Sequence, residues 1–269
     1  MSDIPRIPVI EMFGVSVAAL RGGGAVTVAD VHWSVAPGEF WVVAGPEHSG
    51  KSDLLMLAAG LTSPVAGRSQ LFGRDLSDLG GGDPASRRRA GFVFQGGHLF
   101  NRLTVAENVA LPLQYGRNLS LAEAAPEVQA LLELLELTPL AEVLPARLAP
   151  HWRQRAALAR ALILRPELLL LDNPLSGLGA RQAQWWLRFL DRLAEGEGLP
   201  GGLPGGLPGG RPMTLVVAAD DLRPWRHSRR QYSLLRDRRF IPLGGWSGVE
   251  SAADPVVKEL LAIPLETTL

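Results

Sequence analysis

The chain of 269 residues has no cysteine, two tyrosines and two lysines, Lys51 and Lys258. The missing cysteine excludes disulfides and thiolate metal ligands and fits a reducing compartment. Positive charge is not scarce, because arginine supplies it: lysine and arginine number 27 against 27 acidic residues, for a formal net charge of zero. No global basic field therefore argues for nucleic acid as a partner. The chain also lacks an apolar run of the roughly 18 residues that a membrane helix needs. Arg165 and Pro166 interrupt the best candidate. The opening MSDIPRIPVIEMFG has neither the basic stretch nor the apolar core of a signal peptide. With 46% hydrophobic residues, the remaining reading is a cytoplasmic chain that can bury a sizeable core.

The patterning that is present alternates in type. Short runs of alternating polarity from about residue 8 to 44 predict an antiparallel strand region feeding a buried strand, EFWVVAG. A glycine-bearing turn and an apolar-periodic segment, SDLLMLAAGL, predict a turn and a helix. Helical patterns fill 105–165, punctuated by Pro126, Pro139 and Pro145. LLLLD and TLVVAA predict short buried strands, with a helix over about 180–195 between them that carries Trp185 and Trp186. At least one of those indoles is expected in the core. QYSLLRD and RRFIPL predict a hairpin, and a last helix covers about 254–262. The fold class expected is α/β with a parallel core sheet, an antiparallel β lobe and a helical insertion. The triple Leu-Pro-Gly-Gly run over 198–212 predicts a surface loop, because that glycine and proline density builds neither helix nor ladder. Arg87, Arg88 and Arg89 read as solvated surface.

Gly45-Pro46-Glu47-His48-Ser49-Gly50-Lys51-Ser52 fits G-x-x-x-x-G-K-[ST] between a predicted strand and a predicted helix. That context lets backbone N–H groups and a helix N-terminus surround phosphates, with Lys51 at the outer phosphates and Ser52 on Mg²⁺. The compact ammonium of Lys51 suits such a cradle better than a planar guanidinium. Two carboxylates crowd the same place. Glu47 lies in the loop and Asp53 in the first helical turn, where each would compete with a phosphate for the positive end of the helix dipole. Nucleotide binding is therefore expected to be weakened. The strand LLLLD ends in Asp172, placed to offer a carboxylate to a metal, and Asn173 follows it. An amide cannot accept a proton, so a phosphate-cleaving site would lack its base there.

The order of GPEHSGKS, RRRAGFVFQ, ARLAPHWRQRAALARALILRPELLLLDNP and TLVVAADDL resembles an ATP-binding-cassette ATPase over about residues 9 to 262. The resemblance implies a P-loop NTPase fold in one nucleotide-binding domain over 1–269. Its β lobe and core would cover about 8–95 and 166–243, its helical subdomain about 96–165, and a helical tail 247–269. LTVAENVALPL and DPVVKELL further resemble the cassettes of bacterial lipid transporters of the Mla/MCE type. By the resemblance, Gly45, Ser49, Gly50, Lys51, Ser52, Gln95 and Asp172 bind ATP, with Ser52, Gln95 and Asp172 on Mg²⁺. An integral-membrane permease is the implied partner, with a homodimer expected and an MCE-type lipid-binding protein as a further candidate.

The family pattern then fails at several positions. Asn173 stands where the family has its catalytic glutamate and Asp220 where it has the switch histidine. Leu148 to Trp152 occupy the glycine signature, and Gly179 the aspartate of the following loop. Near Ala19 no aromatic is available to stack on adenine, an interaction worth about 1–3 kcal/mol on comparable platforms. Three functions stay open. The chain is a hydrolysis-deficient cassette subunit that docks a lipid permease, an active ATPase with an atypical site, or a soluble regulatory cassette protein.

Overall fold

Alternating polarity at the start of the chain builds strands, as the pleat requires. The computed structural model describes residues 7–20, 24–76, 88–196 and 212–262. Most of the Leu-Pro-Gly-Gly run, Arg87 and the tail beyond Ala262 lie outside the described residues. In chain order the elements are strands β1 (Ile10–Ala18), β2 (Val26–Val35) and β3 (Phe40–Ala44), helix α1 (Lys51–Ala58), and strands β4 (Ala66–Leu71), β5 (Arg74–Asp75) and β6 (Ala90–Val93). Helices α2 (Val105–Arg117), α3 (Leu121–Leu134) and α4 (Pro150–Leu162), strand β7 (Leu168–Asp172) and helix α5 (Ala180–Glu195) follow. Strands β8 (Thr214–Ala219), β9 (Arg230–Arg236) and β10 (Arg239–Gly244) precede helices α6 (Trp246–Ser251) and α7 (Pro255–Ala262). Among the described residues no helix is long and apolar enough to cross a membrane.

The chain divides into two compact units, Met1–Arg87 with Thr214–Leu269, and Arg88–Met213. In the first unit β1 pairs antiparallel with β2 on one side and β4 on the other, with β5 beyond β4. Strand β3 runs parallel to both β8 and β9, and β10 closes β9 as an antiparallel hairpin. All six residues of β8 are buried, the signature of a strand covered on both faces. Helix α1 turns Leu54, Leu55 and Leu57 inward, all fully buried.

In the second unit β6 and β7 pair in parallel, and β7 is buried throughout. Its helices begin where the sequence places side-chain caps. Thr104 accepts the Glu107 N–H while the Glu107 carboxylate accepts the Thr104 N–H, and Ser120 and Glu123 repeat the arrangement on α3. Hydrogen bonding by Ser120 holds the Glu123 carboxyl below its usual value. Prolines punctuate this region less than the sequence suggests. Pro126 lies inside α3 and Pro112 inside α2, each giving up one bond to the carbonyl four residues back. The buried faces of these helices, Val109 and Leu113 in one and Val128 and Leu131 in the other, outweigh that loss. Trp186 of α5 is in the core as expected, while Trp185 is half-buried.

Candidate functional site

The glycine-rich loop joins β3 to α1 within the first unit. Gly50 adopts φ 94° at the N-cap of α1, a left-handed conformation that glycine reaches without steric penalty. Gly45 is required for space: a Cβ there would lie 2.3 Å from the Leu235 carbonyl oxygen and 2.8 Å from Ser49 Oγ. Its N–H donates to the Ala219 carbonyl at 3.2 Å, which ties the loop to the end of β8. Lys51 is buried, and its ammonium donates to the carbonyls of Gly45 and Pro46, 2.7 Å each. Ser49 Oγ lies 3.4 Å from the same nitrogen. The loop thus holds its cation and glycine-spaced backbone as an anion cradle requires, and a phosphate-bearing ligand fits these residues.

Asp53 also makes a contact that its position in the first turn does not suggest. Its Oδ1 accepts the backbone N–H of Leu20 at 3.2 Å, so the carboxylate fastens the end of β1 to α1. The N-cap of α1 is Gly50, which brings no side chain to bond the helix N-terminus. Asp220 directly follows β8, whose last carbonyl holds Gly45. Its negative charge therefore stands at the strand end adjoining the loop.

The second unit carries the other candidates. Asp172 is the buried last residue of β7, and Asn173 follows with φ 48° at the start of a turn closed by Ser176 N–H on the Asn173 carbonyl, 3.2 Å. Gln95 Nε2 donates to Ser176 Oγ at 3.3 Å, so Gln95 and the loop after Asp172 come together. The segment beyond Gln95 is held from two helices. Arg160 of α4 donates to the carbonyls of Gly97 and His98 at 3.3 and 3.0 Å, and burial lowers its pKa. Asn108 of α2 is completely buried; Oδ1 accepts the Phe100 N–H at 2.8 Å, and Nδ2 donates to the carbonyls of Phe100, Leu103 and Thr104 at 3.1, 3.1 and 2.9 Å. Sequence reasoning missed both residues. The capping pattern T-x-x-E was the available signal for Asn108, since it fixes the first turn from which that side chain reaches back.

At the signature position α4 starts with Ala149 as N-cap and Pro150 as first residue, without a side-chain cap. Pro150 has no N–H, and the Trp152 and Arg153 amides are spent on the Ala149 carbonyl at 3.0 and 3.2 Å. Few backbone donors remain there for an external anion. Trp152 is half-buried and packs against Arg155 rather than deep in the core.

Residues 28–176 match the family described as "ABC transporter". Over 179 residues the chain is 41% identical to a sulfate/thiosulfate import ATP-binding protein, CysA, of Synechococcus elongatus, covering 65% of this chain and 51% of that protein. It is 42% identical over 176 residues to a spermidine/putrescine import ATP-binding protein, PotA, of Frankia alni, covering 65% and 37%. The matches thus span about half the length of these curated relatives or less. Among solved structures, the fold is similar to the ATP-binding cassette MJ0796, solved as a dimer in a post-hydrolysis state bound to ADP and Pi. The TM-score is 0.73 and the identity 27%, over 88% of this chain and 99% of that one.

Proposed function

Because the chain belongs to the ABC transporter family, we propose that it is the ATP-binding subunit of a membrane transporter, docked on an integral-membrane permease at the inner face of the membrane. The observation that carries this reading is the loop at α1, with Gly45 confined by the Leu235 carbonyl and Lys51 held at the loop's carbonyls. Gly45, Ser49, Gly50, Lys51 and Ser52 would hold the phosphates of ATP. By the family's pattern the oxygens of Ser52, Gln95 and Asp172 would go to Mg²⁺. The bound ion supplies charge neutralisation for the phosphates. The helical subdomain over 96–165 is the surface offered to the permease, and two copies of the chain form the assembly.

Cargo is set elsewhere than in the cassette. Two relatives of nearly equal identity carry the names of a sulfate importer and a polyamine importer, cargoes of opposite charge. The lipid-trafficking reading rests on Leu103–Leu113 and Asp254–Leu261 alone, and these relatives' names lend it no support. Import of a small charged solute is the better-supported cargo class.

Hydrolysis is slow in this reading. Asn173 can orient water but cannot take its proton, and a positioned base contributes about 10²- to 10⁴-fold. Asp220 brings a negative charge where the family uses a histidine donor, and the start of α4 has lost signature N–H groups to Pro150 and to intrahelical bonds. The charge of Asp53 also lowers nucleotide affinity. Calorimetry and phosphate release on the purified chain test this. Mg²⁺-dependent ATP binding abolished by Lys51→Ala, with phosphate release near background and little rescue by Asn173→Glu, is the expected result. Absence of ATP binding would overturn the nucleotide assignment, and steady Mg²⁺-dependent turnover that Lys51→Ala removes would overturn the slow-hydrolysis reading.

A further inference from the structure

The second unit contains a cavity of about 800 Å³ to which Gln95, Asp172 and Asn173 contribute nothing. This size falls within the range of roughly 300–1,000 Å³ typical of small-molecule sites. One wall is a continuous ladder of rings with a cation inside it. His151 packs on Trp152 with centroids 4.9 Å apart, and the Arg155 guanidinium lies 4.8 Å from the Trp152 ring and 3.7 Å from that of Trp185. Trp185 in turn stacks on Phe189 at 5.0 Å with planes 6° apart. Arg155 is 6% exposed and pairs with Glu136 at 2.7 Å, so the wall is rigid before anything enters.

The opposite polarity of the lining is cationic. Helix α5 presents Arg181, Trp185, Arg188 and Arg192 at three- and four-residue spacing, which places them on one face. Four arginines line the cavity against Glu133 and Glu136, and the Arg155–Glu136 pair cancels one of each. Among the described residues Arg181 and Arg188 have no hydrogen-bond or ion-pair partner. Burial and the neighbouring Arg155 charge hold the His151 pKa below the ordinary imidazole value, so that ring faces the cavity mainly as a neutral hydrogen-bonding group.

We propose that this cavity is a second ligand site, taking a small organic anion that carries a planar ring. The arginines of α5 receive the phosphate, sulfonate or carboxylate in the bidentate manner that guanidinium favours. The half-buried indoles of Trp152 and Trp185 receive the ring. The bulk of His151 and Trp152, which closes the family's glycine loop, here builds a wall. A ligand in the cavity bridges the start of α4 to α5.

Because Trp152 and Trp185 line the site, binding is read by quenching of tryptophan fluorescence in the full chain. The probe is 2-naphthyl phosphate, with 2-naphthol and inorganic phosphate as the ring-only and anion-only arms. Saturable quenching by naphthyl phosphate is expected, at least about tenfold tighter than either arm, because charge and ring contacts act together. Arg188→Gln, at an exposed position that leaves packing intact, is expected to weaken binding about tenfold. Trp185→Ala is expected to remove the ring preference, and Lys51→Ala to leave binding unchanged. Quenching that does not saturate, that is equal for 2-naphthol, that ignores Arg188→Gln, or that Lys51→Ala removes would overturn the proposal.

Discussion

Removing the Asn108 side chain should release the segment beyond Gln95. The amide satisfies four backbone groups of Phe100, Leu103 and Thr104 from a fully buried position. Its two Nδ2 protons and one accepted proton amount to three hydrogen bonds, each worth about 0.5–1.5 kcal/mol net. Asn108→Ala should therefore destabilise the second unit by about 2–4 kcal/mol, towards the lower figure if water enters to bond the stranded carbonyls. Asn108→Asp should be worse near neutral pH, because it keeps the acceptor for Phe100 but turns a carboxylate towards three carbonyl oxygens. Burial and those carbonyls raise that carboxyl's pKa in the folded state. The folded chain then binds the extra proton more readily than the unfolded chain, so the Asp variant should regain stability as pH falls. Hydrogen exchange resolved by peptide is the suitable assay, since it separates the second unit from the first. The Phe100 amide should exchange faster by roughly 30-fold or more, the factor equivalent to about 2 kcal/mol at 1.4 kcal/mol per decade. Unchanged protection over 100–108, or a urea midpoint equivalent to less than about 0.5 kcal/mol, would refute the assignment.

Gly45→Ala should abolish nucleotide binding and lower stability by about 1–3 kcal/mol in urea unfolding, since its Cβ meets the Leu235 carbonyl; Gly245→Ala, with no atom within 4 Å of the new Cβ, should stay within about 0.5 kcal/mol. Asp53→Asn keeps an acceptor for Leu20 while removing a charge from the first turn of α1. ATP affinity by calorimetry should rise about two- to fivefold, and an unchanged affinity would show that the carboxylate does not compete with phosphate. His151 has a lowered folded-state pKa, so below about pH 6.5 the unfolded chain takes the proton more readily and stability falls as pH falls. His151→Asn should flatten that decline in thermal unfolding measured between about pH 7 and 5, relative to the parent chain.

What the sequence revealed was mostly what is written in contiguous residues. The eight-residue loop could be read because strand, glycines, lysine and helix follow one another in the chain. The α/β class was legible for the same reason, as strands and helices alternate with clear polarity, whereas the cassette was carried by the resemblance of motifs such as GPEHSGKS and LLLLDNP. The bond from the Leu20 N–H to Asp53 was invisible because the two residues lie 33 positions apart, beyond any periodic pattern. The wall formed by Arg155 and Trp185 was invisible for a related reason, with 30 positions between its members. Pro126 marked an expected break that burial overrode. Local propensity names candidates, but long-range pairings decide which groups a charge or ring meets.

The division of the chain also bears on its synthesis. The second unit is one contiguous segment, whereas the first is interrupted by it. Strand β3 finds both of its sheet neighbours, β8 and β9, only after residue 213. At about 5–20 residues per second, a ribosome needs roughly 10–30 s to travel from β3 to β8. During that time the second unit can fold around its capped helices, while the apolar residues Val42, Val43 and Ala44 wait without a ladder. The nascent chain is thus most exposed to misassociation in this interval, and the phosphate loop takes its final form among the last parts of the molecule.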